Sequence, residues 1–255
     1  MYDVIVFYDH FTQDQICGVF TPTHFIILFV YFAALAVALF FSRKIKNAER
    51  IVLIIAVAVT CMEVVKIALR LYKGESGDAW IPLYFSSLFL YAIWLSLARS
   101  SVLRTAGLCF LAFGGTVAGT FFIFYPSTSL ASLPWWHPGA LHSVVYHWLM
   151  LYVGIVTLKF RYRPESSHFF HYFIFVTVFS AAAFVCNECL GTNLMFLGNP
   201  FGLEFLRRIY EYSRCLYALT AYCAQAVLLF WVCYGLSRAV AVIRKRREVF
   251  SKMRI

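Results

Sequence analysis

Seven runs of 17 to 22 mostly apolar residues follow one another along this chain, and they limit what it can fold into. They are Thr23–Phe41, Ile51–Leu69, Ile81–Leu97, Thr105–Tyr125, Leu141–Leu158, Phe169–Leu190 and Cys215–Leu236. A helix needs about 20 such residues to cross a bilayer. In hydrocarbon a helix satisfies its own backbone hydrogen bonds, so runs of this length predict transmembrane helices. Hydrophobic residues make up 62% of the chain and charged residues 13%, against about 45–50% and about 25% in soluble domains. No Pro/Gly/Ser-rich linker, low-complexity tract or internal repeat divides the sequence. The expected fold is all-α: one polytopic transmembrane helix bundle of about seven spans over residues 1–255, ending in a basic tail at 237–255.

The net charge of +10 raises nucleic acid as a partner, but the distribution of the charge argues against it. Of the 22 basic residues, 16 lie in alternate connections and in the tail: Arg43 to Arg50, Arg99 and Arg104, Lys159 to Arg163, and Arg238 to Arg254. The positive-inside rule makes that side cytoplasmic. An odd number of spans then puts the N-terminus outside and the C-terminus in the cytoplasm of a cell-membrane protein. Residues 1–21 carry Asp3, Asp9 and Asp14 and no Lys or Arg, so the positive region of a cleavable signal is missing and the first run reads as a permanent span. Trp135 and Trp136 beside prolines predict an interfacial belt. Leu203–Tyr212, with Arg207, Arg208 and Glu211, predicts a short interfacial helix.

Eight cysteines lie mostly inside apolar runs, where Cys behaves as a small hydrophobe. Cys186-Asn-Glu-Cys189 has CxxC spacing but no second pair or His cluster to complete a zinc site.

The polar residues inside the spans are informative, because charge at bilayer depth is expensive and usually faces the bundle interior. Glu63 and Lys66 are spaced to pair on one helix face. Counting from Ile51, Glu63 stands about 18 Å up its helix, in the outer half. His24 begins the first span at the same end. Tyr84, Ser86 and Ser87 follow Pro82 at the start of the third, and Tyr125 and Pro126 close the fourth. His142 and His147 open the fifth, Asn187 and Glu188 close the sixth, and Asn193 comes just after. The inner halves are almost uniformly apolar. This asymmetry predicts a polar cavity in the bundle, open toward the outer leaflet or the outer aqueous face.

Each residue also has a structural alternative. A histidine near a span end can be an interfacial or satisfied residue. Glu63 and Lys66 can be a helix-locking pair. Ser86 and Ser87 can bond back to helix carbonyls, and Gly115 and Gly119 form a small-xxx-small pair suited to helix packing. It is the convergence at one depth that favours the cavity. A His and a hydroxyl there can act as base and nucleophile, although no GxSxG, HExxH or P-loop signature is present. His142 and His147 are about 140° apart around an ideal helix, a poor arrangement for joint metal ligands. No metal and no cofactor is expected.

Several stretches carry a resemblance: His24, Glu63-Val-Val-Lys66, Ile81-Pro82-Leu83-Tyr84-Phe85-Ser86, His142-Ser143 with His147, and above all Gly191-Thr192-Asn193-Leu194-Met195-Phe196-Leu197. On these the chain resembles the YwaF family of bacterial integral membrane proteins, and it is distantly similar to eukaryotic transmembrane acyltransferases. The resemblance implies a bundle of six or seven helices. In the eukaryotic relatives it implies acyl transfer between lipids by a Cys beside a Pro-Cys-His stretch and a His on a later helix. That His falls on His147. Leu83 and Tyr84 stand where those relatives have Cys and His. The bacterial pattern Leu-Pro-Leu-His-Leu-Cys places its Cys on Ser86, which leaves Ser86, ahead of Ser87, as the nucleophile candidate.

The leading expectation is a membrane-embedded acyltransferase or hydrolase acting on membrane lipids, with His147 and Ser86 catalytic. His24, Glu63, Lys66, Tyr84, His142, Asn187 and Asn193 would bind substrate. The alternatives are a non-catalytic lipid or small-solute binder or transporter, and a structural membrane protein.

Overall fold

The computed structural model describes residues 11–12, 14–44, 46–75, 77–126, 129–200 and 204–252. Asp3, Asp9, Leu203 and Arg254 of the sequence reading lie outside the described residues. Six helices are long and apolar enough to cross a membrane. They are α1 (Pro22–Ser42), α2 (Ala48–Tyr72), α5 (Ser101–Phe124), α6 (Pro138–Phe160), α7 (Ser166–Leu190) and α9, which contains Arg214–Ile243. Shorter helices are α3 (Gly77–Trp80), α4 (Leu88–Leu95) and α8 (Glu204–Tyr212). No strand occurs among the described residues. The chain is an all-helical, multi-pass membrane protein. Its outward faces carry Phe29, Ile54, Phe121 and Ile174 at 60–73% exposure, a surface suited to hydrocarbon and not to water.

Local chemistry sets where the helices begin and end. The Thr21 hydroxyl accepts from His24 N–H ahead of Pro22, and Asn47 Oδ1 accepts from Arg50 N–H. His137 Nδ1 accepts from Gly139 N–H beside Pro138. These are side-chain caps for orphan N–H groups, two of them with a proline in the first turn. α7 ends on Gly191 at φ +65°, the left-handed cap that glycine takes without strain. α8 lies within the stretch expected to form an interfacial helix, and all its charged residues are exposed.

The third apolar run is not one helix. Residues 81–87 are irregular, and α4 covers only Leu88–Leu95. Pro82 has no N–H to give and holds Ile81 out of helical geometry. The run still joins the two ends of the bundle. At one end α3 lies against Leu190 and Thr192, just after α7. At the other, Arg161 donates to Ser96 Oγ at 3.2 Å and to the Ser96 carbonyl at 2.9 Å, and it lies 3.9 Å from Glu49. The bundle thus has seven membrane-length segments, six of them continuous and one broken.

α5 is the axial helix: 67% of its apolar window is buried, more than in any other spanning helix. Midway it makes a π turn at Leu111–Gly115, and α9 has another at Ala224–Leu228. Phe110 and Phe113 of α5 pack against Tyr172 and Phe230, all buried. The Gly115/Gly119 pair faces α6. A Cβ on Gly115 would stand 3.4 Å from Met150, and one on Gly119 would stand 2.8 Å from the His147 carbonyl. That close approach brings the backbone carrying His147 against the C-terminal half of α5. All eight cysteines are unpaired.

Gly119→Ala is expected to lower thermal stability in detergent by about 1–3 kcal/mol, because an inserted methyl must push α5 and α6 apart. Gly235→Ala meets nothing within 4 Å and is expected to melt at or above the wild-type temperature. Equal melting of the two variants would contradict the close α5–α6 approach.

Candidate functional site

A cavity of about 510 Å³ opens among α2, the 81–87 segment, the C-terminal half of α5, and α6. α2 supplies Glu63, Lys66 and Arg70, at spacings that keep them on one stripe. α6 supplies His142, Ser143, Tyr146 and His147 from two adjacent turns. The broken segment supplies Tyr84 to Ser87, and Phe196 closes one side with its ring 5.4 Å from that of Tyr84. Phe121 and Tyr125 also line it, and both are exposed on the bundle surface, so the cavity opens between helices at the C-terminal end of α5.

The carboxylate of Glu63 is buried at 2% exposure. Its Oε1 accepts from Lys66 Nζ at 2.5 Å, and its Oε2 lies 3.7 Å from His142 Nε2. A buried charge persists only when it is paired, and the Lys66 ammonium is that pair. The His142 ring stacks on Tyr146, with centroids 5.7 Å apart.

His147 is fixed from two sides. Its Nδ1 lies 2.8 Å from the Ser143 carbonyl. A carbonyl only accepts, so Nδ1 carries the proton, and in the neutral ring Nε2 carries the lone pair. The ring lies flat on Phe122, centroids 3.8 Å apart and planes 7° from parallel. Nε2 has no hydrogen-bond partner among the described residues. The arrangement therefore presents an oriented proton acceptor to the cavity. Ser86 lines the same cavity, and no hydrogen bond joins it to His147 among the described residues.

The sequence candidates divide into two groups. Ser86, His147, Glu63, Lys66, Tyr84 and His142 line this one cavity. His24, Asn187 and Asn193 do not, and their polar atoms hold backbone. Phe20 N–H donates to His24 Nδ1 at 3.0 Å, and His24 Nε2 donates to the Ile123 carbonyl at 2.8 Å, pinning α1 to the end of α5. Asn187 Oδ1 accepts from Leu194 N–H and from the Thr192 hydroxyl, and its Nδ2 donates to the Leu194 carbonyl. Asn193 Oδ1 accepts from the N–H groups of Gly198 and Asn199. The last two shape the loop after α7, whose Phe196 reaches the cavity.

Sequence reasoning left out Arg70, Phe122, Ser143 and Tyr146 as wall residues. Arg70 was detectable, since it continues the Glu63–Lys66 stripe by one turn. Phe122 and Tyr146 look like ordinary apolar-helix aromatics until the helices are packed.

The sequence model of the TMEM164 family matches residues 19–235, a stretch that contains every cavity residue named above. No curated protein and no solved structure matches the chain.

Lys66→Met should destabilise the fold by about 3–5 kcal/mol, because it leaves the Glu63 carboxylate buried and unpaired. Glu63→Gln/Lys66→Met should recover most of that loss. Denaturation of the three proteins in detergent reads this directly, and additive losses in the double variant would show that the two groups do not depend on each other.

Proposed function

The chain belongs to the TMEM164 family, and on that premise we propose that it is a lipid-acting membrane enzyme of the YwaF type, an acyltransferase or hydrolase. The observation that supports this is the meeting of a hydroxyl, an oriented imidazole and a paired carboxylate in one cavity that opens sideways past Phe121. In this reading Ser86 Oγ attacks the ester carbonyl of an acyl lipid while its proton passes to His147 Nε2. The ester oxygen leaves with that proton. The acyl-serine then passes its acyl group to water or to a second lipid hydroxyl, which gives its proton to His147, and His147 returns that proton to the departing Ser86 Oγ. Glu63, Lys66, Tyr84 and His142 shape the pocket. In this reading the cavity lies on the outer-leaflet side of a cell membrane, with the N-terminus outside and the C-terminus in the cytoplasm, an orientation that the basic connections support by the positive-inside rule.

A second reading, a non-catalytic binder or transporter of a lipid or small solute, is favoured by one observation: Ser86 and His147 share no hydrogen bond. General-base catalysis needs a reach of about 3 Å between the two, direct or through one water.

Purified protein in nanodiscs, supplied with labelled acyl phospholipids, separates the readings. Turnover that falls by about 10²-fold or more in His147→Ala and Ser86→Ala supports catalysis. Turnover unchanged in His147→Ala would sink the assigned role, and retained lipid with no turnover in the wild type would favour the binder.

A further inference from the structure

A second cavity, of about 610 Å³, lies between α2 and α6 beside the first. The two share only Lys66, Arg70, His142 and Ser143, so these side chains are the partition between them. The walls of the second are apolar. Val65 and Leu69 of α2 face Leu141 and Val145 of α6, and Val65, Leu141 and Val145 are exposed on the outward, apolar side of the bundle. It is a groove that faces the bilayer.

One edge of that groove carries three cations and one carboxylate, Glu75. Lys66, Arg70 and Lys73 line it at i, i+4 and i+7, along one stripe of α2 about 10 Å long at 1.5 Å per residue. Lys66 Nζ donates to Glu63 and Arg70 donates to Glu75. An ammonium has three N–H groups and a guanidinium five. Most of the donors on Lys66 and Arg70 are therefore unfilled among the described residues. An anionic acceptor attached to an acyl chain meets these donors and the apolar wall at once.

We propose that this groove binds one anionic phospholipid of the surrounding bilayer, with an acyl chain between α2 and α6 and the phosphate on Lys66, Arg70 and Lys73. A stripe this long exceeds what a single fatty-acid carboxylate covers and suits a glycerophosphate headgroup. The shared partition makes the groove a neighbour of the inner cavity. Binding there does not require the inner cavity to be catalytic, so it stands or falls separately from lipid turnover.

The test is native mass spectrometry of the full chain released from nanodiscs that contain phosphatidylglycerol and phosphatidylcholine in equal amounts. The wild type is expected to retain one phosphatidylglycerol over phosphatidylcholine by about fivefold or more. Arg70→Gln and Lys73→Gln should each reduce that preference by about fivefold, the effect of one cation. Val145→Trp fills the groove from a residue that does not line the inner cavity and should abolish retention. Leu141→Trp makes the same test should Val145→Trp fail to fold. Equal retention of the two lipids by the wild type overturns the proposal, as does undiminished phosphatidylglycerol on a folded tryptophan variant. Retention of added palmitate in place of phosphatidylglycerol overturns the choice of occupant.

Discussion

In an apolar surrounding every backbone amide and carbonyl must find its partner within the protein, and the rest of this architecture follows from that. Six segments meet the requirement as continuous helices. The seventh cannot, because Pro82 removes a donor and unwinds residues 81–87. Irregular backbone at membrane depth is tolerated where protein covers it or where it lines a cavity. Both conditions hold here: α2, α5 and α6 surround the break, and Tyr84 to Ser87 turn into the space it opens. The cavity and the broken segment are therefore one feature. A continuous helix at 81–95 would direct its N–H and C=O groups along its own axis and would leave little of this polar lining.

The same environment disciplines charge. Glu63 is buried against Lys66, whose side chain lines both cavities. His147 shows a milder version of this economy. Its proton is occupied by a carbonyl of its own helix and its ring face by Phe122, so only one lone pair is left for chemistry. His24, Asn187 and Asn193 spend their polar atoms mainly on holding backbone. Polarity at this end of the bundle thus has two uses, joining chain segments and lining a space, and the residue type alone does not tell them apart.

That ambiguity marks how far the sequence could be read. Apolar run length gave the helical, multi-pass character, since bilayer thickness ties length to function directly. Spacing on α2 gave the Glu63–Lys66 pair, because i, i+3 contacts are local. The shared depth of His142, His147, Tyr84 and Ser86 reflected a common wall. Depth is only one coordinate, however. His24 sits at that depth but turns toward the end of α5, and Asn187 turns toward Leu194. Their rotation about the helix axis depends on which neighbours pack where, and one sequence does not carry that. The break at Pro82 left a signal in the proline itself, but the apolar run continued through it and read as a single span. Phe122 gave no signal, since its role depends wholly on the ring of another helix.

The π turn at Leu111–Gly115 gives α5 one residue more than an even α-helix would use over that stretch. One residue corresponds to about 100° of rotation. The N-terminal half of α5 directs Cys109 and Phe110 into the aromatic core, while the C-terminal half directs Phe122 onto His147. The extra residue is a phase shifter between these two halves. A chain that lost a single residue there could keep its length, hydropathy and span count, yet the wall behind His147 would face elsewhere. Among relatives of this chain, the length of that turn, more than the identity of any residue in it, should track whether the cavity is preserved.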